Sequence, residues 1–267
     1  MHPETVSEAN RRFWDELCGS DLARSLQLPD DSAGSLRRFD EAYFSTYPYL
    51  EALTTRVSGE DDVLEIGLGY GSVGGKLAQR AGRYVGLDIA PGPVQFMRRR
   101  LEQEQIPAST VNGSALDLPF ADDTFTDAFA IGSLHHTGDL RRSVEELGRV
   151  VRPGGRAVVM LYARWCWRTL SPFQIARYIK RLPRQGSLGA VLRSEYDANA
   201  AGVAAPHIDF VSRRDVRRLF SDWSDVTIVG RNLGTRNPRD PSSLERRGVD
   251  TSIENILGQD LYITAVR

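Results

Sequence analysis

Acidic side chains spaced around a run of glycines are the first chemistry this 267-residue sequence offers. Glu65 precedes Gly67, Gly69 and Gly71 in "VLEIGLGYGSVGGK", Asp88 closes "YVGLD", and Asp117 opens "DLPF". Carboxylates accept from hydroxyls, amines and amides, and glycines let a ligand reach the main chain. A tandem histidine pair, His135 and His136 in "IGSLHHTGD", adds the side chain best suited to moving a proton near neutral pH.

The glycine run resembles three kinds of loop. A phosphate cradle needs GxxxxGK followed by Ser or Thr; here Gly75-Lys76 is followed by Leu77, and the first required glycine falls on Tyr70. A dinucleotide turn fits Gly69-Tyr70-Gly71-Ser72-Val73-Gly74, with Asp88 19 residues after Gly69. Its register fails, because the apolar strand ends at Ile66 and makes Gly67 the first turn glycine. Counted from there, the third glycine would stand where Ser72 is.

The pattern Glu65-x-Gly67-x-Gly69-x-Gly71 resembles the first motif of class I S-adenosylmethionine (SAM)-dependent methyltransferases, small-molecule type. SAM has no pyrophosphate, so a loop without side-chain bulk suits it better than a phosphate nest. The resemblance implies S-adenosyl-L-methionine as cofactor and gives Glu65 the task of orienting the loop and the cofactor's ammonium. Asp88, with Ile89 after it, would hold the ribose hydroxyls; the plainer alternative is a strand-end Asp capping the next helix. Asp117 and the Leu118 amide would meet adenine, the alternative being a polar turn. Gly132 and Ser133 would lie by the methionine part. "LHH" segments occur in relatives of the quinone-biosynthesis type, and His136 is the candidate general base, or else a hydrogen-bonder holding the loop. Tyr43, Tyr47, Arg164 and His207 are candidate acceptor contacts, Arg164 for an anionic group. The expected activity is methyl transfer to a small-molecule acceptor, by O-methylation in secondary metabolism. Two alternatives stand beside it. One is an RNA or protein methyltransferase, disfavoured because "IGSL" stands where amino-methylating nucleic-acid enzymes often carry "NPPY" or "DPPY". The other is a protein of the same fold that transfers no methyl group, such as a pericyclic-type catalyst.

The elements needed to position these residues are legible in the periodicity. Short apolar runs at 62–67, 84–88, 108–113, 125–132 and 156–163 alternate with amphipathic segments at 72–82, 92–104 and 138–151, which predicts βαβ units and a parallel sheet. Strands at 225–230 and 259–266 have only a Pro-, Asn- and Arg-rich loop between them and are expected to pair antiparallel at a sheet edge. The resemblance completes a Rossmann-like, doubly wound α/β fold with a mostly parallel seven-stranded sheet and an antiparallel last strand. Residues 1–60 read as an N-terminal helical lid, with Phe13, Trp14 and Leu17 on one face of its first helix and a break near Pro48. Residues 61–267 read as the cofactor-binding domain, with a helical insertion at about 164–222.

The formal net charge is −1 and the apolar content 41%. Apolar runs are strand-sized, and the N-terminus lacks the apolar stretch of a signal peptide. With only Cys18 and Cys166, far apart, a reduced cytoplasmic setting is expected. No HxxxH, HExxH or carboxylate cluster accompanies the four histidines, so no metal site is expected. Residues 164–247 hold 16 Lys/Arg against 8 Asp/Glu. In "SRRDVRRLF" the arginines lie opposite Val216, Leu219 and Phe220, as on a solvated helix face. Neither a nucleic-acid nor a membrane partner is expected.

Overall fold

A computed structural model describes residues 5–15, 22, 26, 32–199, 201–233 and 251–267. Leu17 and Cys18 lie outside the described residues. The alternation seen in the sequence becomes β1 (Asp62–Ile66), α4 (Ser72–Arg80), β2 (Arg83–Asp88), α5 (Pro91–Gln103), β3 (Ser109–Asn112), β4 (Phe125–Ile131), α6 (Leu140–Val150) and β5 (Val151–Tyr162). Ahead of them stand α1 (Val6–Asp15), α2 (Ala33–Thr46) and α3 (Pro48–Thr54), the last two divided at Pro48 as expected. After β5 come α7 (Trp167–Leu170), α8 (Pro172–Gln185), α9 (Leu188–Tyr196), α10 (Arg213–Leu219), β6 (Ser224–Arg231), α11 (Thr251–Leu257) and β7 (Asp260–Val266).

Seven strands among the described residues form one sheet in the order β3-β2-β1-β4-β5-β7-β6. The first five run parallel, and β7 pairs antiparallel with both β5 and β6. The strand order reverses between β1 and β4. Ligand crevices in open α/β sheets form at such a switch, outside the C-terminal strand ends.

Alternation along β1 sets the two faces of the core. Leu64 and Ile66 join a cluster with Val85, Phe125, Val144 and Leu147, while Val63 faces Leu77, Tyr84, Met97 and Phe129 on the other side. Glu65 therefore points to the Val63 side, beneath α4. Leu140, Val144 and Leu147 of α6 repeat at i, i+4 and i+7 and are buried. Asp139 caps that helix through the Arg142 amide at 3.0 Å.

Two elements differ from the sequence expectation. β5 starts at Val151 and runs through Pro153-Gly154-Gly155, absorbing a register break against β4. The helix α11 lies in what reads as loop before β7. Its seven residues are too few to show a periodicity, and tertiary hydrogen bonds hold it. The Asn232 amide donates to Glu254 Oε1 at 2.9 Å, and the Gly230 amide donates to Asn255 Oδ1 at 2.8 Å. No helix among the described residues is long and apolar enough to cross a membrane.

Candidate functional site

A cavity of about 540 Å³ opens at the switch point, within the range of small-molecule sites. Its floor is the loop from β1 to α4. The Gly67 amide donates to the Leu87 carbonyl at 2.8 Å, and Ser133 Oγ donates to the Ile66 carbonyl at 2.6 Å, so β2 and β4 both anchor the turn. Gly67 adopts φ +87°, and a β-carbon there would strike the Ser133 side chain. Gly69 (φ +48°) lines the cavity, and a β-carbon there would meet nothing within 4 Å. The main chain at Gly69 is thus bared to whatever fills the cavity, which is the condition a closely seated cofactor imposes.

Two carboxylates sit beside this loop. Asp88 Oδ2 accepts the Leu68 amide at 2.8 Å and Oδ1 accepts the Ala90 amide at 2.9 Å. Asp88 therefore does cap the following turn, and it also lines the cavity, with a further lone pair on each oxygen. Burial raises its pKa to about 6, against the lowering effect of those amides, so it is ionised at neutral pH. Glu65 accepts from Tyr84 Oη, and a β-carbon on Gly74 would strike its carboxylate. Burial raises its pKa to about 8, opposed by the Tyr84 hydrogen bond and by Arg100, so it is mostly protonated at pH 7. Ile89, Gly132 and Ser133 line the cavity as well.

Asp117 and Leu118 do not. Asp117 is exposed in a turn whose amide donates to the Ser114 carbonyl at 3.2 Å. The Leu118 amide donates to Glu146 Oε2 at 2.9 Å, and the side chain packs in the core. The cavity wall after β3 consists of Gly113, Ser114, Ala115 and Leu116. The acid of "DLPF" stands just beyond the last of these lining residues, Leu116, and faces outward.

Opposite the glycine loop, His136 is buried and lines the cavity. Its Nδ1 lies 2.8 Å from the His207 carbonyl. A carbonyl only accepts, so Nδ1 carries the proton and Nε2 keeps its lone pair. Nε2 lies 3.7 Å from Asp197 Oδ2. Burial lowers the His136 pKa, partly offset by Asp197, leaving the ring neutral at pH 7. Trp14 packs on the ring at 4.7 Å, and Asn10 Nδ2 donates to the His136 carbonyl. His135 is fully buried between His136 and Tyr162, at 4.2 and 4.3 Å, and burial holds its pKa well below the usual histidine value. His135, His136 and Asp197 also offer ligand atoms within 4.8 Å of one another, a grouping that sequence spacing hides because Asp197 lies 61 residues beyond His136.

Of the candidate acceptor contacts, Tyr43 lines the cavity, and Tyr47 packs behind it at 5.1 Å. His207 supplies its carbonyl to His136, while its ring lies 3.1 Å from Asp209. Arg164 is exposed and bonded to the Phe210 carbonyl, 3.5 Å from Asp215, so it gives no cation to the cavity. Asn10, Trp14, Phe39, Tyr70 and the α9 end at Tyr196-Asp197 also line the cavity. No short motif announces these residues, since distant elements bring them in. Asp40 fixes α2 over the glycine loop: it pairs with buried Arg100, whose guanidinium also donates to the Tyr70 carbonyl at 3.0 Å, and it accepts from Ser72 Oγ at 2.6 Å.

Comparison with known proteins agrees with this geometry. Residues 64–159 match the methyltransferase domain family model. The chain is 34% identical over 106 residues to the methyltransferase GfsG of Streptomyces halstedii, covering 39% of this chain and 38% of that one. It spans 38 to 54% of the length of several curated relatives that it matches, among them demethylmenaquinone methyltransferases. Geranyl diphosphate C-methyltransferase from Streptomyces coelicolor A3(2) superposes with a TM-score of 0.60 at 19% identity over 99% of both chains. The [4+2]-cyclase SpnF superposes at 0.56 with 13% identity, over 98% of this chain and 96% of that one. At those identities the two structures speak for the fold alone. Taken with the glycine loop and its two acids, the matches support a class I SAM-dependent methyltransferase domain over residues 64–159 and imply S-adenosyl-L-methionine as its cofactor.

Proposed function

We propose that the protein transfers a methyl group from SAM to a small-molecule acceptor, by O-methylation in secondary metabolism. The observation that carries this reading is one cavity with a bared glycine loop on one side and a neutral, oriented histidine on the other. In that reading Asp88 accepts the ribose hydroxyls, Glu65 faces the ammonium, and Gly132 and Ser133 border the methionine part. The adenine end passes to Ser114, Ala115 and Leu116, in place of Asp117 and Leu118. When bound, SAM supplies a methyl group already made electrophilic by the sulfonium. Residues of this chain then do the rest. The His207 carbonyl holds His136 Nδ1–H, so Nε2 takes the acceptor hydroxyl's proton, and Asp197 stabilises the imidazolium that results. Trp14, Phe39 and Tyr43 exclude water, with α1 and α2 acting as the lid.

The resident acids and the absence of Arg or Lys among the described lining residues favour a neutral or cationic acceptor over an anionic one. The assay is release of S-adenosylhomocysteine across a panel of phenols, amines and phosphorylated acceptors. Release with neutral hydroxyl acceptors supports the proposal. Cofactor binding with conversion of an acceptor but no S-adenosylhomocysteine would move the chain to the non-transferring reading that the cyclase neighbour raises.

A further inference from the structure

The insertion after β5 carries a surface that the cavity does not use. Over residues 164–194 the sequence holds seven Arg/Lys (Arg164, Arg168, Arg177, Lys180, Arg181, Arg184, Arg193) and no Asp or Glu. Its longest helix, α8, buries Gln174 and Tyr178, with Tyr178 Oη donating to the Arg168 carbonyl at 3.0 Å. The apolar residues of α8 point elsewhere. Ile175, Ile179 and Leu182 fall at i, i+4 and i+7 and are 42, 63 and 39% exposed. Phe173, 76% exposed, heads the adjoining row of Arg177, Lys180 and Arg184. Trp165 and Trp167, just before α8, are 60 and 47% exposed.

A helix that presents an aliphatic stripe to solvent, with cations along one side and tryptophans at one end, has the make-up of an interfacial amphipathic helix. We propose that α8 docks this protein on the surface of a bilayer containing anionic phospholipid, lying in the interface without spanning it. The stripe would enter the acyl boundary, Trp165 and Trp167 would sit at headgroup level, and Lys180 and Arg184 would meet lipid phosphates. A second copy of the chain fits less well, because a two-fold contact through α8 sets the same cations against each other. The docked helix and the cavity rim form one unit: α8 is joined to α9 by ion pairs of Arg177 and Arg181 with Glu195, and the end of α9 lines the cavity.

Co-sedimentation of the full chain with phosphatidylcholine vesicles, with and without phosphatidylglycerol, tests this, with tryptophan emission as a second readout. Expected are partition onto the anionic vesicles only, a blue shift on binding, and weakening by salt. Lys180→Gln and Arg184→Gln should each reduce partition about fivefold. Ile175→Glu with Ile179→Glu should abolish it, while the circular dichroism spectrum and S-adenosylhomocysteine affinity of the parent are retained. Failure of the parent chain to bind anionic vesicles would overturn the proposal. So would a dimer, seen by light scattering, that Ile179→Glu dissociates, because the face would then be a self-contact. Vesicle partition is read without turnover, so its failure is distinct from failure of the methyl-transfer reading.

Discussion

Glu65→Gln separates the protonation of the buried acid from its shape. Glu65 is buried, and its pKa is raised to about 8. A raised carboxyl pKa contributes stability fully below the ordinary value of about 4.5 and loses it as pH climbs to about 8. The slope is about 1.4 kcal/mol per pH unit for one proton. Glutamine has nearly the same shape and cannot ionise. In urea denaturation the Glu65→Gln protein should therefore gain on the parent by about 1.4 kcal/mol per unit between about pH 5 and 8. Ligand binding should move the other way. An ammonium placed against Glu65 favours the carboxylate, so the parent must release about 0.9 proton at pH 7, at a cost of about 1.4 kcal/mol. Isothermal titration with S-adenosylhomocysteine in buffers of different ionisation enthalpy reads that release. At pH 7 and above Asp88, with a pKa of about 6, adds little to it. The variant should release no such proton. It should also lose the charge-assisted contact, intrinsically about 1.5–3 kcal/mol, with the net loss growing as pH rises. A stability difference that stays flat with pH, together with buffer-independent heats in the parent, would refute this account of Glu65.

Four further perturbations have expected outcomes. Asp88→Ala should cost about 3 kcal/mol of stability by chemical denaturation, because the Leu68 and Ala90 amides lose their acceptor, and should weaken S-adenosylhomocysteine by about 1.5–3 kcal/mol; lost stability with unchanged affinity would leave Asp88 a cap alone. His136→Ala should lower turnover by about 10²–10⁴ with cofactor affinity retained, and Asp197→Asn should shift the acidic limb of the pH–rate profile to lower pH, because Asp197 raises the His136 pKa. Removal of divalent ions with a chelator should leave turnover unchanged if His136 and Asp197 act as a proton-handling pair, whereas restoration by added zinc would assign the His135, His136 and Asp197 grouping to a metal.

The sheet was legible because its signals are local. A strand reads as a short apolar run, and "LEIGLG" says where the run ends and the turn begins, which fixed Gly67 as the first turn glycine and separated this loop from a dinucleotide turn. The positions of Asp88 and His136 at the cavity were legible for the same reason, each lying within a few residues of a strand end. What the sequence could not place was contact between distant segments. Ser114, not Asp117, faces the cavity because the chain turns back at the Ser114–Asp117 hydrogen bond and Glu146 takes the Leu118 amide. Asp197 reaches His136 only because α9 ends there, and His207 acts through a carbonyl that every residue type possesses.

Amphipathic pattern shows this limit most clearly. Helices α8 and α10 both mix arginine with aliphatic residues at helical spacing. In α10 the apolar side is the buried one: Val216 is inside, and Arg217 and Arg218 face solvent. In α8 the polar Gln174 and the hydroxyl of Tyr178 turn inward, while Ile175 and Ile179 turn out. A hydrophobic stripe records only that some surface will cover it, and a core is the usual answer for a globular chain. Where another face of the same helix already packs inward, the stripe is left exposed and open to a surface that covers it. The cations beside it then favour an anionic surface over an acid-poor one, and the vesicle experiment on Ile179, Lys180 and Arg184 decides whether that surface is lipid.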